Sequence, residues 1–233
     1  MLTRILILGD SVMKGVIFDQ ILKRYRLLKE SVVSLFMKET RLDVTNCALF
    51  GATIKKGEQQ LLRRKDTLDT YTHALLEFGG NDCDFNWREI AENPEGVHLP
   101  NTPVTDFIAR YEQLIDDLRK NGVTPILMTL PPLDPDRFFE TISAGLNKEN
   151  ILKWLGGHKD ATYRWHESYS LAVIDLARRK EVPVIDVRSA FLVRTDYRDL
   201  ICDDGMHPNE KGHRVILEML LDFMRPLNPA PAV

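Results

Sequence analysis

Cysteine is scarce. Cys47, Cys83 and Cys202 are three in 233 residues, an odd and widely spaced set without a Cys-x-x-Cys pair. That excludes a disulfide framework and a zinc knuckle and predicts three reduced, buried thiols. Long apolar runs are missing as well. After Arg4 only residues 5–8 precede Gly9 and Asp10, short of the roughly 7–15 apolar residues of a signal peptide. The most apolar late segment, 215–224, is interrupted by Glu218 and Asp222, so nothing approaches the roughly 18 apolar residues of a membrane span. A cytoplasmic protein without a membrane span is expected. There is no basic excess: 31 Lys plus Arg against 34 Asp plus Glu give a net charge of −3, which supplies no positive field for nucleic acid or anionic lipid. Nucleic acid is therefore not expected as a partner. No repeat, low-complexity block or Gly/Ser-rich linker divides the chain, so 1–233 reads as a single domain.

What is present is an ordinary globular composition, 44% hydrophobic and 28% charged, with a regular alternation. Short apolar runs at 4–8, 43–49, 72–78, 123–130 and 182–187 predict buried strands. Helical spacing of apolar residues predicts helices over 27–40, 54–68, 104–121, 162–180 and 208–224. Near-continuous apolar strands joined by crossover helices predict a mostly parallel sheet covered on both faces, a three-layer α/β/α sandwich with right-handed connections. In such sheets ligands bind beyond the carboxyl ends of the strands. Two connections there are long, 83–103 and 131–161, and loops of that length are more often functional than not. The proline-rich tail 226–233 is expected to fray.

The unusual residues gather at the predicted strand ends. The first strand runs into Gly9-Asp10-Ser11, the second ends near Phe50-Gly51, the third runs into Gly79-Gly80-Asn81-Asp82, and Asp204-Gly205-Met206-His207 precedes the last helix. A serine hydroxyl needs a base to become a nucleophile, histidine can be that base near neutrality, and a carboxylate orients the imidazole. Ser11, His207 and Asp204 meet that need, and a spacing of three brings Asp204 and His207 to one side of the chain. Acyl transfer also needs neutral donors at the developing oxyanion. Asn81 offers an uncharged amide, Gly51 a backbone N–H unobstructed by a Cβ, and Ser11 its own N–H.

Together these residues resemble the SGNH hydrolases, also called GDSL esterases/lipases. Gly9-Asp10-Ser11 is similar to the family's first block, Gly51 to its second, Gly79 to Asp82 to its third and Asp204 to His207 to its fifth, in family order across residues 9–207. The nucleophile block departs from the longer form by reading Gly-Asp-Ser-Val-Met. The resemblance implies a flavodoxin-like sheet of five parallel strands and a serine esterase working through an acyl-enzyme. Ser11 would be nucleophile, His207 base and then acid, Asp204 its orienter, and Ser11, Gly51 and Asn81 the oxyanion hole, with no metal or organic cofactor. The expected substrate is a small-molecule ester with a short acyl group, for example O-acetyl on a carbohydrate or polyol. A thioesterase or lysophospholipase on the same triad, a non-catalytic ligand-binding protein and an FMN protein are the alternatives.

Other residues have plainer readings. Ser11 on its own is a capping residue, and Asp82 is assigned to an Asx turn. Cys83 and Cys202 lack an adjacent base. His207 and His213 fit no zinc spacing, and His213 is read as a helix surface residue. His73, His98, His158 and His166 show no partner, and Arg63-Arg64-Lys65 is read as a solvated helix face. Residues 131–161 carry too many aromatics for a solvated loop, so they are a candidate lid, a pocket wall, an oligomer contact or a satellite core. Phe85, Trp87, Phe138 and Trp154 are the candidate substrate contacts, and a homo-oligomer is left open.

Overall fold

Residues 4–225 are described by a computed structural model. In chain order they form β1 (Arg4–Gly9), α1 (Ser11–Lys14), β2 (Val16–Asp19), β3 (Arg24–Leu27), α2 (Val32–Thr40) and β4 (Asp43–Asn46). Next come α3 (Ile54–Leu62), a 3₁₀ turn (Lys65–Thr70), β5 (His73–Glu77), α4 (Trp87–Glu92), α5 (Val104–Lys120) and β6 (Thr124–Met128). The chain continues through α6 (Pro135–Ile142), α7 (Lys148–Trp154), α8 (Ala161–Arg179), β7 (Val184–Ile185), α9 (Val187–Leu192), a second 3₁₀ turn (Tyr197–Leu200) and α10 (Glu210–Met224).

Five strands make one all-parallel sheet in the order β4-β1-β5-β6-β7. Each central strand is apolar on both faces because helices cover both. Leu6, Leu8, Ala74, Leu76 and Leu127 face one way, onto Leu61 of α3, Phe107, Leu114 and Leu118 of α5 and Val173 and Leu176 of α8. Their neighbours Ile5, Ile7, Leu75, Ile126 and Met128 face the other, onto Val33 and Phe36 of α2 and Ile216 and Leu220 of α10. Burying each such side chain contributes roughly 1.5–3 kcal/mol. The strand order reverses between β1 and β5, which opens a crevice at their carboxyl ends. Ser11 follows one of these strands and Asn81 the other.

The expected fold class holds, with local corrections. The sequence pattern predicts a helix from residue 27, but Leu27 pairs with Val16 in an antiparallel hairpin of β2 and β3. The helix begins only at Val32, where the Ser31 side chain accepts from Ser34 N. β7 is shorter than 182–187 because Asp186 caps α9, whose Ser189 N donates to the Asp186 carboxylate. α10 starts at Glu210 rather than residue 208, because the Asn209 side chain accepts from Lys211 N and Gly212 N. The tail 226–233 lies outside the described residues.

Residues 131–161 carry α6 and α7, which pack with α4 around Trp87, Ile90, Phe138, Phe139, Ile151 and Leu155. This is a satellite core, and it is stitched to the loop that carries Asp204. Asp134 N donates to Gly205 O at 2.9 Å, and Arg137 Nη1 donates to Arg198 O at 2.9 Å and Ile201 O at 3.1 Å. Among the described residues no helix is long and apolar enough to cross a membrane.

Candidate active site

Asp10, not Ser11, caps α1: its Oδ1 accepts from Val12 N at 2.8 Å. The Ser11 hydroxyl is thereby left to lie 2.8 Å from His207 Nε2. His207 Nδ1 lies 2.5 Å from Asp204 Oδ2. A carboxylate only accepts, so Nδ1 carries the ring proton and Nε2 is free to accept from the serine. The loop holding both residues is closed at its base by Cys202 N donating to His207 O at 2.8 Å and Asn209 N to Leu200 O at 2.9 Å. Inside it, Asp204 Oδ1 accepts from Met206 N and His207 N, each at 3.1 Å. Gly205 turns the loop in the left-handed region at φ 76°. The carboxylate is thus fixed by backbone amides while its second oxygen orients the ring.

Asn81 joins the first and third blocks. Its Nδ2 donates to Asp10 Oδ2 at 2.9 Å and to Ala52 O at 3.2 Å, and Asn101 Nδ2 donates to its carbonyl at 2.9 Å. Beneath lies Glu77, which the sequence reading passed over although a carboxylate ending an apolar strand was the available signal. Its Oε2 accepts from Asp10 N at 3.2 Å, while Oε1 has no hydrogen-bond partner among the described residues. Burial and the adjacent Asp10 carboxylate hold the Glu77 carboxyl well above its usual range, and burial raises Asp10 as well.

Asp82 is structural but does not make the expected local Asx turn: both its oxygens lie 3.1 Å from Ile54 N, 28 residues away at the start of α3. Burial pushes its carboxyl up from 3.8 to about 6. The folded protein therefore keeps a proton that the unfolded chain has released, and stability falls as pH rises from about 4 to about 6. Two pKa units correspond to about 3 kcal/mol. Asp82→Asn keeps an acceptor for Ile54 N and removes the titration. Urea unfolding at pH 4 and pH 6.5 should show the variant gaining up to about 3 kcal/mol on the wild type across that interval; a difference that does not change with pH refutes the assignment.

An aromatic cluster surrounds the imidazole. Phe50 stacks on His207 with centroids 6.2 Å apart, and Tyr25 of β3 meets it edge-on at 5.3 Å. Burial and the nearby Asp204 carboxylate push the Tyr25 phenol up to about 12. Tyr25 was missed with its hairpin. Gly51, next to Phe50, has φ 68° and borders a neighbouring depression with Lys14, Lys55 and Lys56 rather than the cavity beside Ser11.

That cavity is lined by Ser11, Asn81 and His207 together with Phe85, Trp87 and Phe138. The fourth candidate, Trp154, does not line it; it packs behind, 5.0 Å from both the Phe85 and Trp165 rings. Asp84, Trp165, His166 and Met206 also line it and were not anticipated. Burial raises the Asp84 carboxyl to about 6 although it accepts from Trp87 Nε1 at 2.7 Å. His213 is a correction: it is fully buried, not on the helix surface, and its Nδ1 accepts from Val32 N at 3.4 Å. Burial pushes its ring down to about 4. All three cysteines are buried, and burial raises Cys83 well above the usual thiol range and Cys202 to about 11. Among the described residues no group of three or more His, Cys, Asp or Glu is placed to hold a metal ion.

Comparison with known proteins assigns the chain to a family. Residues 7–215 match the GDSL-like Lipase/Acylhydrolase family. The GDSL esterase/lipase WDL1 of Oryza sativa subsp. japonica is 24% identical over 154 residues, covering 65% of this chain and 53% of the rice protein, so the chain spans about half of that relative. The uncharacterized lipoprotein YqeF of Bacillus subtilis (strain 168) is 27% identical over 231 residues, covering 92% of this chain and 86% of the relative. Among solved structures, a lipase/acylhydrolase from Enterococcus faecalis superposes with a TM-score of 0.70 at 18% identity, over 99% of this chain and all of the other. A catalytic mutant of Axe2, an acetylxylan esterase from Geobacillus stearothermophilus, superposes with a TM-score of 0.62 at 17% identity, over 94% of this chain and 93% of the other. With nearly the whole described chain inside the match, the protein belongs to the GDSL-like lipase/acylhydrolase family.

Proposed function

We propose that this protein hydrolyses carboxylic esters through an acyl-enzyme intermediate on Ser11. One observation carries the proposal: a continuous hydrogen-bonded series, Asp204 to His207 to Ser11, opens on a cavity beside Asn81. In the first step Ser11 Oγ attacks the ester carbonyl carbon as its proton passes to His207 Nε2, and Asp204 stabilises the imidazolium. The negative charge that develops on the carbonyl oxygen is met by Ser11 N–H and an Asn81 amide hydrogen, since Gly51 borders the neighbouring depression and not this cavity. Each such donor contributes about 10²–10³ in rate. Of the two Asn81 hydrogens, the one on Asp10 at 2.9 Å holds the amide in place, and the one on Ala52 O at 3.2 Å is the looser and can be shared with the oxyanion. Collapse of the intermediate expels the alcohol, which takes the proton from Nε2. Water then attacks the acyl-serine with His207 again as base, releasing the acid and restoring the hydroxyl.

The acyl group is short, and O-acetyl on a carbohydrate or polyol is the substrate class that fits best. His166 in the cavity lining supports this, because a long alkyl chain would leave its buried ring N–H unpaired at a cost of about 1–3 kcal/mol. Phe85 and Trp87 offer apolar faces of the kind that pack on sugar rings, and the likeness to an acetylxylan esterase points the same way.

A fluorophosphonate tests the nucleophile directly. The protein should gain one covalent adduct, found by mass spectrometry on the peptide that contains Ser11 and absent from Ser11→Ala. Labelling at another residue, or none, removes the proposal.

A further inference from the structure

We propose that His166 is a specificity-determining hydrogen-bond donor, selecting esters whose cavity-bound part carries an oxygen acceptor over plain alkyl esters. This rests on the hydrolase reading of Ser11 and narrows its substrate class. His166 sits on α8, is 5% exposed, and lines the same cavity as Ser11 and Asn81. Its Nε2 is 3.9 Å from where a Cβ on Gly80 would stand, beside the residue that precedes Asn81.

The orientation of its proton is fixed from behind. Arg188 Nη1 lies 3.2 Å from His166 Nδ1. A guanidinium can only donate, so Nδ1 must be the bare nitrogen and the ring proton must be on Nε2. Burial and the Arg188 charge both hold the ring well below its usual pKa, so it does not gain a second proton near neutrality. Arg188 is itself anchored. Its backbone N–H donates to Thr129 Oγ1 at 3.0 Å, its guanidinium lies 4.8 Å over the Tyr163 ring, and Glu167 Oε2 is 3.9 Å from Nη2. A neutral imidazole held in one tautomer by a buried arginine is a preorganised donor.

Among the described residues no group is hydrogen-bonded to His166 Nε2. An alkyl group filling the cavity leaves that donor unpaired, whereas a hydroxyl or ether oxygen accepts from it. Asp84, lining the same cavity, can in turn accept from a hydroxyl, so a hydroxylated group meets both a donor and an acceptor.

Two matched ester pairs test this, one for each half of the substrate. p-Nitrophenyl methoxyacetate against p-nitrophenyl butyrate varies the acyl part, and 2-methoxyethyl acetate against butyl acetate varies the alcohol part. Each pair exchanges one CH₂ for an ether oxygen. Ratios of kcat/KM are divided by the hydroxide-catalysed ratio of the same pair, which removes intrinsic reactivity. Wild type should favour the ether in one pair by about tenfold. His166→Phe should bring that ratio to parity, and His166→Gln, which keeps a donor near Nε2, should retain the preference. Wild-type parity in both pairs overturns the proposal whether or not the variants fold, and so does an unchanged ratio in a folded His166→Phe. Turnover with unaltered ratios refutes the role of His166 alone; no turnover and no fluorophosphonate adduct refutes the Ser11 reading and this inference with it.

Discussion

Ser11→Ala should lower kcat toward p-nitrophenyl acetate by about four to six orders of magnitude with little change in stability. The hydroxyl at 2.8 Å from His207 Nε2 is the atom that forms the acyl bond in the proposed route, and no neighbouring nucleophile can replace it. Cys83, the nearest thiol in the cavity lining, is held in its neutral form by burial. What remains is catalysis by the oxyanion donors alone. His207→Ala should cost a similar factor, and the double variant should be no slower than either single one, because residues acting as one unit fail together. The measurement is kcat for the three variants alongside their thermal midpoints. An Ser11→Ala protein that keeps a tenth of wild-type turnover, or a double variant whose losses multiply, would sink the mechanism.

Gly205→Ala should destabilise the fold by more than about 4 kcal/mol, in the range reserved for severe core lesions. A Cβ there would stand 2.2 Å from Phe138 N, 2.7 Å from Asp134 O and 2.8 Å from Arg137 C. All three are backbone atoms of the α6 entry, so no rotamer change relieves the clash. Residue 205 also sits at φ 76°, which an L side chain adopts at a cost of about 1–2 kcal/mol. Gly145→Ala separates the two effects. Gly145 has φ 72° but nothing within 4 Å of its Cβ, so it should cost only the backbone strain. In a protein of this size the Gly205 variant should melt at least about 8 °C lower than wild type and the control about 2–8 °C lower. The Gly205 variant should also lose activity before it unfolds, since the loop it pushes carries Asp204 and His207. Equal midpoints for the two variants would show that α6 yields to the loop.

The sheet was legible in the sequence because its strands are buried on both faces and so read as unbroken apolar runs. Leu6 and Leu8 serve one layer, Ile5 and Ile7 the other. The β2–β3 hairpin was not legible because β3 is exposed along its whole length, and Arg24-Tyr25-Arg26-Leu27 presents no buried period. Its missing strands cost the reading Tyr25 and with it the aromatic cluster at His207. The site residues flanking strand ends, Ser11, Asn81, Asp204 and His207, could be picked out because each chemistry needs a particular residue type. Residues that matter through their surroundings could not. His166, His213 and Glu77 look alike in sequence to any surface histidine or acid; only the packing of α8 against Arg188, of α10 against α2, and of β5 beneath Asp10 sets them apart. Trp154 illustrates the converse, an aromatic correctly expected near the site but one layer too deep to touch a substrate.

The bond between Ser11 and His207 closes a separation of 196 residues. All five strands of the sheet, in the order β4-β1-β5-β6-β7, are complete by Ile185, before the loop bearing Asp204 and His207 has been made. At a synthesis rate of about 5–20 residues per second, the serine emerges roughly 10–40 s ahead of its base. The loop bearing the proton acceptor and α10, which covers the Ile5 and Ile7 face of the sheet, are made last, so hydrolytic competence arrives as a late event that coincides with closure of that face.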